Sequence, residues 1–101
     1  MAETNDKNAI RHEIAIGLAA LGWTLEDSDR AFRLLDLTGL TPAQLKMGVE
    51  DTTILAAVLN FLESHEPDLI ACAEAIGLAP VELVNIRITL ESGHQNDMEH
   101  N

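Results

Sequence analysis

A chain of 101 residues with 17 acidic and 6 basic side chains carries a formal charge of −11. Such a charge repels phosphate backbones and anionic membrane surfaces at long range, which places nucleic-acid and membrane binding at a disadvantage. The length leaves room for one domain with a modest core, and the apolar 47% is built from Leu, Ile, Val and Ala, with only Trp23, Phe32 and Phe61 aromatic, a composition that favours helices.

The first residues are polar, lack the basic start and apolar run of a signal peptide, and are expected to be disordered over 1–6. Apolar residues then recur at Ile10, Ile14, Leu18 and Leu21, spaced i, i+4, i+8 and i+11, which lines one face of a helix. Gly22 is expected to end it. Glu26-Asp27-Ser28-Asp29 marks a new start, with a capping oxygen and carboxylates near the positive end of the helix dipole. A second helix is predicted through Phe32, Leu34, Leu35 and Leu37, stopping before Gly39.

Thr38 to Leu45 reads TGLTPAQL, and Ile76 to Leu83 reads IGLAPVEL. In the first, Gly39 supplies a left-handed helix end, Thr41 a cap, Pro42 the first helical position and Gln44 the third. Gly77, Pro80 and Glu82 repeat that grammar, with Ala79 in place of the capping threonine. Leu40 and Leu78 precede their caps, where each can staple onto Leu45 or Leu83. Both turns therefore set the angle between consecutive helices, and two copies fall short of a solenoid.

Gly48 cuts the next helix short, and Asp51 is placed to cap a long segment, Thr52 to Ser64. Its Ile54, Leu55, Val58, Leu59, Phe61 and Leu62 cover an arc of roughly 160° at 100° per residue, too wide for a half-exposed helix, so this segment is placed centrally. Pro67 opens a helix over Leu69 to Ile76 with a narrower stripe of Leu69, Cys72, Ala73 and Ile76. The last helix is expected from Pro80 to about Glu91, with Gly93 releasing a disordered tail over 92–101. The predicted fold is an all-α compact bundle of five or six short helices with two similar helix-turn-helix pairs, in a single domain over 7–91.

From about Ala19 to Leu90 the chain carries ALGW, LLDLTGLTPAQL, ILAAVLNFL and AIGLAPVEL. These runs resemble a family of short alphaproteobacterial proteins designated only as a domain of unknown function, DUF3572. The resemblance implies a compact all-helical bacterial domain and transfers no activity, cofactor or catalytic residue.

Candidate chemistry is thin. His12-Glu13 begins like the zinc motif H-E-x-x-H, but Ile16 stands where the second histidine belongs. Asp27-Ser28-Asp29 opens like a calcium loop, but Ala31, Phe32 and Thr38 occupy the fifth-ligand, glycine and closing-glutamate positions. Cys72 could act as a nucleophile only with a nearby base such as His65, and its place on an apolar stripe makes it a buried, inert thiol. His65 decorates the end of the central helix, and Glu63, Glu66 and Asp68 form an acidic corner without a visible pocket. His94 and His100 are too sparse for a metal tract. The glycines are spread singly, so no phosphate loop is readable. No cofactor and no small-molecule substrate are expected.

The last helix has two apolar sides. Leu83, Ile86 and Leu90 cluster on one, and Val81, Val84 and Ile88 on roughly the opposite. If the Leu78 staple forms, the leucine side faces the core and Val81, Val84 and Ile88 need another cover. That cover is either the first helix, whose Ile16 lies off its main stripe, or a second protein molecule, most simply an identical one. The leading expectation is a non-enzymatic cytoplasmic interaction module, as a homodimer or with another protein, using Val81, Val84, Ile88 and Ile16. The alternative is a DNA-associated regulator using LLDLTGLTPAQLKMGV as a helix-turn-helix, although its reading helix would offer only Gln44 and Lys46. With one cysteine, no internal disulfide is available and a reducing compartment suits the chain.

Overall fold

The computed structural model describes the backbone of residues 2–48 and 51–99 and the side chains of residues 10–48 and 51–92. Among the described residues there are six helices and no strand: α1 (Ala2–Leu25), α2 (Ser28–Thr38), α3 (Pro42–Met47), α4 (Thr52–Glu63), α5 (Glu66–Ile76) and α6 (Pro80–Glu99). They form the expected all-α bundle, with a radius of gyration of 13.5 Å, close to the roughly 13 Å of a compact chain of this length.

The wide apolar arc of α4 does place it at the centre. It packs against α1, α2, α5 and α6, and Leu55, Ala56, Val58, Leu59, Phe61 and Leu62 are all buried. Asp51 caps it, its Oδ1 accepting from the Thr53 amide at 2.8 Å. From the other helices Leu21, Leu34, Leu45, Leu69, Cys72, Leu83, Ile86 and Leu90 close on this rod in one continuous core.

Both repeated turns fold as their residues dictate. Gly39 sits at φ 75° and Gly77 at φ 82°, a region where a Cβ would be strained. Gly39 donates to the Leu35 carbonyl at 2.9 Å, and Leu78 donates back to Ala73 at 2.8 Å. Thr41 and Gln44 form a complete capping box, Thr41 N–H to Gln44 Oε1 at 2.9 Å and Gln44 N–H to Thr41 Oγ1 at 3.1 Å. The second turn keeps half of it, since the Ala79 amide donates to Glu82 Oε1 at 2.7 Å while the alanine offers no acceptor. Leu40 and Leu78 pack onto the core beside buried Leu45 and Leu83. The helices entering the two turns, α2 and α5, are each 11 residues long, and the copies diverge afterwards because Gly48 closes α3 at six residues. Completing the second box by Ala79→Ser is expected to stabilise the fold by about 0.5–1 kcal/mol, read as a raised urea midpoint with an unchanged slope; a neutral or lower midpoint would contradict the half-box reading.

Four boundaries differ from those the punctuation suggests. Gly22 does not end α1, which runs on to Leu25. A mid-helix glycine costs only about 1 kcal/mol relative to alanine, and this stretch is held by buried Ala20, Leu21 and Thr24. The Thr24 hydroxyl donates to the Ala20 carbonyl at 2.9 Å. The Arg30 guanidinium lies 3.6 Å from the centre of the Trp23 ring and donates to the Trp23 carbonyl, satisfying a helix-end acceptor that water would otherwise take. At the start of α2, Asp27 is the N-cap residue but its side chain makes no capping bond; its carboxylate lies 3.8 Å from Arg30 instead. Helix α5 begins at Glu66 rather than Leu69, with His65 at its N-cap, because Pro67 suits the first turn as well as the position before it. Finally, α6 continues through Gly93 to Glu99, again because one glycine is too small a penalty to stop backbone hydrogen bonding. At the other end the helical backbone of α1 reaches Ala2. Apart from Ser92, the side chains of the segments expected to be disordered, 1–6 and 92–101, lie outside those described.

Candidate interaction surface

On α6, the half capping box and Pro80 fix the first turn, and the 100° step of the helix then sorts the side chains. Leu83, Ile86 and Leu90 face the core and are buried, as the staple argument requires. Val81 is 61% exposed and Ile88 45% exposed. Val84 lies between them, half-buried and packed against the core, and Ile16 of α1 is likewise half-buried against it. Helix α1 packs on α6. The two alternatives for covering the second face are thus divided: Ile16 and Val84 rest on the chain's own core, and Val81 and Ile88 face solvent.

The flanks of this stripe carry little charge, a formal −1 from Arg87 set against Glu63 and Glu91. On one side stand Asn85 and Ser92. On the other is Arg87, which reaches α4 through a two-pronged bond to Glu63, with Nη2 to Oε1 at 3.2 Å, and bonds Glu91 at 2.9 Å. The bond to Glu63 holds the guanidinium above its ordinary pKa against a smaller desolvation. Nothing in the sequence pairs residues 24 positions apart, so this clamp was not legible there.

A second surface was missed. Phe32 and Leu37 are expected on the second helix with no face assigned to them; only Leu34 of that helix is buried, and Phe32 is 71% and Leu37 66% exposed. The signal was available in the spacing, because Phe32 lies about 200° from Leu34 around the helix. Leu37 overhangs a shallow depression of about 350 Å³ between α2 and α4, lined by Leu37, Thr38, Ala57, Asn60, Phe61 and Ser64. Its floor is apolar and its edge carries hydroxyls and one carboxamide.

The remaining candidates do not converge. Among the described residues there is no group of three His, Cys, Asp or Glu that could hold a metal ion. His12 is exposed and Glu13 half-buried on α1. Cys72 is fully buried and its thiol is pushed up to about 11, chiefly by burial, with Arg30 opposing and Asp68 adding, so at neutral pH it is a protonated core side chain. His65 does not reach it in any bond; its Nδ1 lies 3.1 Å from Asp68 Oδ2, which Arg33 also approaches at 3.1 Å. That oxygen accepts no hydrogen bond from either group, and Arg33 attracts it as an ion pair. The acidic corner therefore resolves into two ion clusters, Glu63 with Arg87 and Asp68 with Arg33. In the helix-turn-helix reading, the Gln44 carboxamide oxygen is taken by the capping box and α3 spans six residues. No single helix among the described residues is long and apolar enough to cross a membrane.

A family model described as Protein of unknown function (DUF3572) matches residues 12–93. Neither the curated proteins nor the solved structures contain a significant match to the chain.

Proposed function

We propose that this chain, which belongs to the DUF3572 family of proteins of unknown function, is a non-enzymatic interaction module that pairs with a second copy of itself through the outer face of α6. The observation that carries the reading is the solvent exposure of Val81 and Ile88 on a helix whose leucine side is already buried. With Val84 between them the spacing is i, i+3, i+7, the set of anchors one helix offers to another lying along it. Charge supports a second copy at this place. Two chains of −11 each repel, and a face flanked by Asn85, Ser92 and an arginine already bonded to carboxylates adds little to that repulsion. A two-fold axis near Val84 sets Val81 of each copy beside Ile88 of the other.

Magnitude limits the affinity. A stable interface buries about 800 Å² on each partner, more than three aliphatic side chains supply, so the expected dissociation constant is in the micromolar range or weaker. Light scattering across a concentration series is expected to show the mass rising from 11.0 kDa towards twice that value, and Ile88→Asp is expected to hold it at the monomer. Because Ile88 is partly exposed, that variant should melt within a few degrees of the parent. A monomer mass that stays constant up to about 1 mM, well above the affinity such an interface supports, would overturn the reading.

A further inference from the structure

We propose that the outer face of α2 receives a basic amphipathic segment of another protein, with apolar side chains seated on Phe32 and Leu37 and cationic ones facing Asp29 and Asp36. Taken around the helix at 100° per residue, the solvent arc runs Phe32, Asp36, Asp29, Arg33, Leu37 over about 140°. Its two edges are apolar and its middle is charged. Phe32 is the most exposed aromatic ring described, and Leu37 leads from the arc into the α2–α4 depression, whose floor includes Phe61 and Ala57. A ring and a leucine left in water on one short helix are anchors in search of a cover.

The charges say which cover fits. Arg33 is engaged, with Nη1 3.1 Å from Asp68 and its guanidinium 6.0 Å over the Phe61 ring. Asp29 and Asp36 make no ion pair among the described residues, so the arc presents net negative charge. A second copy would set carboxylates against carboxylates, and nucleic acid or an anionic membrane would be repelled by the same two groups and by the −11 of the whole chain. A cationic segment is attracted by all of them. Asp29 and Asp36 are seven residues apart, so they stand about 10.5 Å apart along the axis, and Phe32 and Leu37 about 7.5 Å. The matching partner therefore carries two lysines or arginines about 10 Å apart with a bulky apolar residue between them: one heptad in a helix, or three residues in an extended chain. This surface shares no residue with the α6 stripe, and its occupant is not a copy of the chain.

The test is selection of random 14-residue displayed peptides on the 101-residue chain, followed by titration of the enriched peptides against variants. Peptides with paired basic residues at that spacing around an apolar one are expected, and their affinity should fall at least tenfold in Phe32→Ser and in the double variant Asp29→Asn, Asp36→Asn. Glu66→Gln with Glu74→Gln removes the same charge elsewhere and should leave affinity within twofold, as should Ile88→Asp. Circular dichroism checks that each variant is folded, and the aspartate pair changes no apolar surface. Equal weakening by both charge-removing pairs would reduce the effect to bulk attraction and overturn the proposal. So would failure to enrich any peptide, enrichment without basic residues, or binding abolished by Ile88→Asp instead.

Discussion

Leu59→Ala is expected to lower the unfolding free energy by about 3–4 kcal/mol, within the range seen for leucines truncated in close-packed cores. Leu59 is 0% exposed and lies on α4, the helix that α1, α2, α5 and α6 all contact. A site enclosed by so many rods cannot collapse around the missing atoms without moving several helices together, so the cost sits above the bare transfer free energy of the lost methyl groups. Whole domains of this kind have on the order of 5–15 kcal/mol of stability, so the variant forfeits a large part of it. At about 4–8 °C per kcal/mol for a chain of this length, its melting temperature should drop by roughly 12–30 °C. Met47→Ala, on a side chain that is exposed at the end of α3, should stay within about 0.5 kcal/mol. Urea unfolding followed by circular dichroism measures both, and a loss below about 1 kcal/mol in Leu59→Ala would mean that α4 is not the central rod.

The central place of α4 was legible because burial on several sides leaves a compositional trace: six large or medium apolar residues within nine positions make an unusually wide apolar arc and leave only a narrow polar strip around Thr53 and Asn60. The two turns were legible for a different reason, since Gly39, Gly77 and the Thr41–Gln44 pair act through their own backbone and neighbours and need no tertiary partner to be read. What stayed hidden depends on distance in sequence or on small competing energies. The Glu63–Arg87 clamp joins α4 to α6, and the Arg30 guanidinium folds back over Trp23; neither partner marks the other. Gly22 and Gly93 looked like stops because glycine is a weak helix former, yet a penalty of about 1 kcal/mol loses to any neighbouring contact worth more than that.

The candidate surfaces follow the same division. The two-sided α6 was readable from spacing, including which side the leucines take. The fate of Val81, Val84 and Ile88 was not, because it depends on where α1 lies, and only Val84 is drawn into the core. For α2 the apolar residues were named without being placed around the axis, so its exposed face went unread. Phe32 sits opposite Leu34, so a helix packed through Leu34 must leave that ring in water, whatever its hydrophobicity. A small bundle cannot cover every apolar side chain it contains, and the large ones left out here, Leu25, Phe32, Leu37, Met47, Ile70, Val81 and Ile88, lie on every helix except the central α4.

The two glycines of α1 give the second large effect, and they should behave oppositely. Gly17 is buried where α1 meets α4: a Cβ there would lie 3.1 Å from the Leu55 Cβ and 3.3 Å from its Cδ1. Gly22 is exposed, and a Cβ there would meet nothing within 4 Å. Neither has a positive φ, so backbone strain does not enter for either. Gly22→Ala should therefore stabilise the chain by about 0.5–1 kcal/mol, by better helix propensity and a less free unfolded state. In Gly17→Ala the same gain is offset by a contact that Leu55 must relieve by a few tenths of an ångström, and the net change should be near zero. Gly17→Leu adds three more carbons with no space to receive them, against a fully buried Leu55. Overpacking of this kind costs roughly 1–3 kcal/mol or more, and here it acts on the helix pair that closes one side of the core. The expected order of melting temperatures is Gly22→Ala above the parent, Gly17→Ala level with it, and Gly17→Leu lower by about 5–20 °C. If Gly17→Leu melts with the parent, α1 does not approach α4 through this glycine, and the packing described around Leu55 is wrong.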